Sequence, residues 1–200
     1  VAFSPAGGGD PAWPSGAAAV EGVTGTSAGL RDAIPITQIS FKAESMNIRP
    51  LERGDLEAVK AVISATGLFP SEMLDNMSAD YFNGANQDVW LTVTDDDPIA
   101  VAYLVPERMT QGTFNLLLIA VHPDRQGQGS GSALIKHIEH MLAARDARIL
   151  LVETSGLPSY DPVRNFYRHC GFEEEARIRD FYMAGEDKIV VRKAIVAAQG

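Results

Sequence analysis

The chain has a single cysteine, Cys170, in 200 residues. That excludes an intrachain disulfide framework and is the usage expected of a protein in a reducing cytosol, so a cytoplasmic location is expected. Basic residues are also scarce, with 17 Lys and Arg against 26 Asp and Glu and a net charge of −9. A nucleic-acid face needs a basic stripe, which these scattered cations do not form, and no nucleic-acid partner is expected. No apolar run approaches the roughly 20 residues needed to cross a bilayer, so no membrane partner is expected either. The four histidines, His122, His137, His140 and His169, show no ligand pattern with nearby acids or cysteine, and no metal is expected. Asp95, Asp96 and Asp97 before Pro98 read as a solvated turn between two strands rather than a cation site.

What remains is ordinary globular material, 46% hydrophobic and 22% charged, enough for one domain with an appendage. Residues 1–45 are rich in Gly, Ala, Ser and Pro, carry only Arg31 and Lys42 as bases, and lack the charged start and apolar stretch of a secretory signal. They read as a disordered extension, and residues 46–196 as the folded domain. Within it, Asn47 to Glu52 reads as a first strand, and Asp55 as the cap of a helix whose inner stripe is Leu56, Val59, Val62 and Ile63. Ser71 opens a second helix. Strands follow at 89–93, 99–105 and 113–121, then a helix over 130–144 with Leu134, Ile138, Met141 and Leu142 inward, a strand over 149–152, a further helix, and closing strands near 176–182 and 188–195.

The most informative segment is residues 121–134, where an apolar strand gives way to a glycine-rich turn and then at once to an amphipathic helix. Glycines there let the backbone approach a ligand closely, and the helix start offers unpaired N–H groups, so the segment is an anion cradle suited to phosphate. Gly131 is followed by Ser132 and Ala133 rather than Lys-Ser/Thr, which excludes a nucleotide-hydrolase loop. A dinucleotide fingerprint fits poorly too: five residues, His122 to Gln126, separate the strand from Gly127, and Ser132 occupies the third glycine position.

The pattern left is Gln126-x-x-Gly129-x-Gly131, which resembles the acyl-CoA signature of the GNAT superfamily of acetyl-CoA-dependent N-acetyltransferases. Two further segments are similar to that family: Asn47-Ile48-Arg49-Pro50-Leu51 with Asp55, and Val163 to Phe172, which carries Phe166-Tyr167 and ends in Gly171-Phe172. The latter is also a physically sensible helix, with Val163, Phe166, Tyr167 and Cys170 on one face and Gly171 as its stop. The resemblance implies an α/β (α+β) fold: a mixed, mostly antiparallel sheet splayed between its fourth and fifth strands, with helices on both faces. It implies acetyl-CoA as cosubstrate. The backbone of Ile119, Ala120 and Val121 would pair with the pantetheine arm, and Arg125, Gln126, Gly127, Gln128, Gly129, Ser130 and Gly131 would hold the pyrophosphate. Homodimers are common in the resembling family, so a homodimer is possible, but no interface is legible.

For the chemistry, the resemblance places the backbone N–H of Ile119 as the oxyanion donor, at a distortion of the strand, and Tyr167 beside the thiolate leaving group, chiefly as a hydrogen-bond donor. The position where some members carry a basic carboxylate aligns with Asn115, which cannot serve. Glu153, at the end of the fifth strand, is therefore the preferred proton acceptor, with Glu107 and Asp180 behind it. Cys170 sits at a helix C-terminus in an apolar phase and reads as a core thiol, not a nucleophile. The acceptor region offers Glu72, Tyr81, Asp180, Tyr182, Glu186 and Asp187, an acidic and aromatic set suited to a cationic amine, small or on a protein. The alternatives are a non-catalytic acyl-CoA sensor, favoured by Asn115, and a dinucleotide-binding oxidoreductase.

Overall fold

A computed structural model describes residues 46–196; the extension expected over 1–45 lies outside the described residues. Seven strands form one sheet in the order β1-β2-β3-β4-β5-β7-β6: β1 Asn47–Pro50, β2 Val89–Asp95, β3 Asp97–Pro106, β4 Thr113–Val121, β5 Ile149–Ser155, β6 Glu173–Met183 and β7 Glu186–Ala194. Five of the six pairings are antiparallel, and β4 with β5 is the parallel one. The turn at Asp95 to Asp97 is a tight β2–β3 connection with Asp96 at φ 66°, as expected of a solvated hairpin.

Alternation along the strands feeds two cores. On one face, α1 (Leu56–Thr66) and α2 (Met73–Phe82) bury Val59, Val62, Ile63 and Leu74 against Trp90, Val101, Leu118 and Ala120. On the other, α3 (Ser130–Ala143) and α4 (Asp161–His169) bury Leu134, Ile135, Ile138, Leu142 and Tyr167 against Leu116, Ile119, Leu150, Val152, Ile189 and Val191. Neighbouring β4 residues therefore serve opposite layers, which is the period-2 rule acting on a doubly covered sheet.

Asp55 stands at the N-cap position of α1, as the sequence implied, but its side chain makes no cap bond there. It ends a short 3₁₀ turn, Arg53–Asp55, and its carboxylate turns back to accept the Glu52 N–H at 2.8 Å and both arms of the Arg49 guanidinium at 2.7 and 2.9 Å. The Arg49 hydrogen bonds hold the Asp55 carboxyl below the usual carboxylate range despite its burial. This fork fixes the exit of β1 onto α1. Because the folded pKa is depressed, the stabilisation is fully present above the unfolded value of about 3.9 and is lost as pH falls through the lower folded value. Asp55→Asn should cost about 1.5–3 kcal/mol at pH 7 in denaturant titrations. The gap to the parent should narrow in acid.

Candidate active site

The parallel ladder between β4 and β5 is three pairs long: Thr113↔Ile149, Phe114↔Leu150 and Asn115↔Leu151. Beyond it β4 stays on β3 while β5 pairs with β7 through Ser155↔Lys188, so the two strands part and leave facing edges without a ladder. The register between β3 and β4 slips between Tyr103↔Leu118 and Leu104↔Leu116, which makes Leu117 the extra residue of a bulge. The distortion expected at Ile119 thus lies two residues earlier. The His122 N–H donates to Ile99 of β3 at 2.9 Å, and backbone direction alternates along a strand. Counting back from His122, the N–H groups of Val121 and Ile119 point away from β3, into the split, and that of Ala120 points toward β3.

After β4 comes a 3₁₀ turn, Pro123–Arg125, and then the glycine loop. Gly127 and Gly129 adopt φ of 71° and 91°, and a Cβ at either would meet nothing within 4 Å. Their requirement is backbone conformation, and the space beside them is open. Gly131 differs: a Cβ there would come within 3.2 Å of the Phe166 ring, so this glycine is used for the close packing of α3 on α4. Gly129 supplies no side-chain cap, the first turn of α3 holds no acid, and the first bond closing the helix runs from the Ala133 N–H to the Gly129 carbonyl. The amides of Ser130, Gly131 and Ser132 stand ahead of that bond, as the first N–H groups of any helix do. The Ser130 hydroxyl is buried with no hydrogen-bond partner. An open backbone cradle, free amides and an orphaned hydroxyl together fit a pyrophosphate group.

The side chains of the loop are partly committed elsewhere. Arg125 Nη1 donates to Asp95 at 2.9 Å, tying the loop to the β2–β3 turn. Gln126 Nε2 donates to the Val121 carbonyl at 3.1 Å, and Gln128 Nε2 to the Asp124 carbonyl at 3.3 Å. What this loop presents for binding is main chain.

Tyr167 on α4 is completely buried, with ring contacts to Phe166 and Phe172, and its hydroxyl has no partner. Burial pushes its pKa well up, so the phenol keeps its proton and is suited to donating a hydrogen bond. Burial likewise pushes the Cys170 thiol up, which disfavours the thiolate.

Three acids were candidates for the proton acceptor. Glu153 lies on the opposite face of β5 from Leu150 and Val152, and its Oε2 accepts from Lys188 Nζ at 3.0 Å. Asn115, the last β4 residue in the parallel ladder, donates from Nδ2 to Glu107 at 2.9 Å, while its own buried Oδ1 has no partner. Asp180 is used in the β6–β7 turn, where its carboxylate accepts the Gly185 N–H at 2.7 Å.

The expected acceptor set separates in the same way. The Tyr81 hydroxyl donates to the Leu51 carbonyl at 3.1 Å, Asp187 bonds Arg177 and the Asp180 N–H, and Glu72 lines a cleft of about 420 Å³ at the α1–α2 loop. Tyr182 and Glu186 remain, joined by Tyr160. Burial raises the Tyr182 pKa, and the charges of Glu153 and Glu186 raise it further; its hydroxyl is buried without a partner. Burial followed by Glu186 does the same to Tyr160. The sequence reading missed Tyr160 and Lys188. The signal for Lys188 was a lysine one residue out of phase with the buried Ile189 and Val191 of an apolar strand.

Residues 85–174 match the family model described as the acetyltransferase (GNAT) domain. Among solved structures, the chain is similar to a protein assigned to the GNAT family of acetyltransferases from Desulfovibrio desulfuricans, at 32% identity and a TM-score of 0.71, over 76% of this chain and 100% of that one. It is also similar in fold to the ribosomal-protein-S18-alanine N-acetyltransferase of Escherichia coli (24% identity, TM-score 0.61, 77% and 96% of the two chains). A third likeness in fold is to an aminoglycoside 6′-N-acetyltransferase complexed with coenzyme A (15% identity, TM-score 0.62, 78% and 100%). No curated protein sequence matches the chain.

A buried hydroxyl without a partner costs stability, so Tyr167→Phe should leave the free protein as stable or raise its stability by up to about 1–3 kcal/mol. A loss of stability in thermal or denaturant unfolding would mean that the hydroxyl has a partner in the free protein.

Proposed function

Because the chain belongs to the GNAT family of acetyltransferases, we propose that it moves an acetyl group from acetyl-CoA to a primary amine by direct attack within a ternary complex. The observation that carries this reading is the short β4–β5 ladder, whose end leaves strand edges facing a gap just ahead of a backbone anion cradle. A dinucleotide oxidoreductase would need a parallel sheet, whereas this one is antiparallel in all but one pairing.

Acetyl-CoA, when bound, supplies the activated acyl group. Its pyrophosphate would meet the loop amides from Gly127 to Gly131, with the Ser130 hydroxyl among them, and its pantetheine arm the backbone of Ile119 and Val121. The Ile119 N–H, aimed into the split, would steady the oxyanion that forms during attack. The Tyr167 hydroxyl would donate a hydrogen bond to the departing sulfur.

The acceptor must lose a proton, since a lysine-like amine of pKa about 10.4 carries a deficit of roughly 4.6 kcal/mol at pH 7. Glu153 is the acid we assign to receive it, with Tyr182 close enough to feel the charges of Glu153 and Glu186, and Tyr160 that of Glu186. That acidic and aromatic surround favours a cationic amine, small or on a protein chain. The named activities of the fold relatives, on a ribosomal-protein alanine and on an aminoglycoside, span both kinds. The one observation favouring a sensor without turnover is Asn115 at the apex of the split, where it provides no base.

The test is release of free CoA thiol from acetyl-CoA across a panel of amines and N-terminal peptides. At least one acceptor should give turnover, and Tyr167→Phe should lower kcat. Gly129→Val, which cannot hold φ near 91° without strain, should raise the KM for acetyl-CoA about tenfold or more, roughly 1.4 kcal/mol. Tight acetyl-CoA binding with no thiol release for any amine would replace the enzyme with the sensor.

A further inference from the structure

Building on the acyl-transfer reading above, we propose that Lys188 is an internal acceptor, acetylated on Nζ by the protein's own site. Its ammonium lies 3.0 Å from Glu153 Oε2 and 3.7 Å from the centroid of the Phe181 ring, with the side chain only 10% exposed. Carboxylate on one side and aromatic face on the other is the coordination a cationic amine seeks. Lys188 therefore already holds the place of the external acceptor on the acid assigned to take its proton.

The register explains how a β7 residue comes to that position. Ile189 and Val191 point into the core beneath α3 and α4, so Lys188 rises on the opposite face, the one that Glu153 shares. Lys188 is paired with Ser155, and Glu153 with Val190. Its side chain thus reaches diagonally back along β5 toward Leu151, where the ladder with β4 ends. The other lysines of the described residues are placed differently. Lys60 bonds Glu57 and Asp75 on α1 and α2, Lys193 bonds Glu139 and the Cys170 carbonyl beside α3 and α4, and Lys136 lies on α3. A largely buried ion pair is weak support for a fold, because desolvation offsets most of its attraction.

The step balances without a further reactant. The Lys188 ammonium passes one proton to the Glu153 carboxylate, and the neutral Nζ attacks the thioester carbonyl. The new C–N bond forms, the C–S bond breaks, and CoA departs as thiolate and takes up a proton, leaving an N-acetyl lysine that has shed its second N–H proton to solvent. Acetylation removes the charge of Lys188 and so the ion pair, which frees Glu153 for an external amine. The first turnover would prepare the site for later ones.

The test needs only the full chain and acetyl-CoA, followed by peptide mass spectrometry. The acetyl group should accumulate on Lys188 at least about tenfold faster than on Lys60 or Lys136, the internal measure of uncatalysed acetylation. The rate should not depend on protein concentration, and Glu153→Gln, checked for an unchanged melt, should bring Lys188 down to the rate of the other two. Lys188 staying unmodified, or keeping pace with Lys60 and Lys136, would overturn the proposal. The acyl-transfer reading is judged separately, by thermal shift with acetyl-CoA and by thiol release with external amines, and it survives if only Lys188 remains unmodified.

Discussion

Backbone amides do not tolerate lacking a partner inside a sheet, and the end of the β4–β5 ladder at Asn115 and Leu151 imposes that condition on the middle of this one. An extended chain entering the gap would satisfy the edge of β4 as a strand would, which is how a thread-like ligand gains affinity from main chain alone. The bulge at Leu117 adds to this by breaking the register with β3 just before the residues concerned. Everything else in the site is arranged around that opening: the glycine loop at its end, Tyr167 in the layer on one face, and Glu153 on the other.

Under the proposed function, a polyanion has to be held in a chain of net charge −9. Arg125, the nearest base in the loop, is taken by Asp95, so the attraction rests on helix-start amides and loop N–H groups. The helix start is worth on the order of 0.3–1 kcal/mol to an anionic group placed there, rising to about 2 when partly buried, and it acts at contact range rather than through the overall field. Contact-range binding of this kind would leave the negative surface free to attract the cationic acceptor proposed above. Buried hydroxyls without partners at Ser130, Tyr167 and Tyr182 follow the same logic: each costs stability in the free protein, and under the proposed function each would find its partner in a bound ligand.

What could be read from the sequence was local. The loop Gln126 to Gly131, the amphipathic phases of α1, α3 and α4, and the strand alternation each lie within one stretch of chain, and the family likeness with 32% identity agrees with them. The bulge was misplaced because Leu116, Leu117, Leu118 and Ile119 form an unbroken apolar run in which no alternation shows where the register slips. Asp55 sits at the N-cap position expected of it, but its carboxylate is taken by Arg49 on the preceding strand, a partner that spacing along the helix does not reveal. The pairs Arg125 with Asp95, Asn115 with Glu107, and Lys188 with Glu153 depend on strand register and side-chain direction, neither of which is encoded in spacing.

Amide hydrogen exchange with and without acetyl-CoA tests most directly whether main-chain hydrogens in the split and in the cradle hold the cofactor. Binding should slow exchange at Ile119 and Val121 in the split and at Ser130, Gly131 and Ser132 in the cradle, while Ala120, turned toward β3, changes little. Binding that protects neither set, or protects only side-chain-lined clefts elsewhere in the domain, would contradict the account.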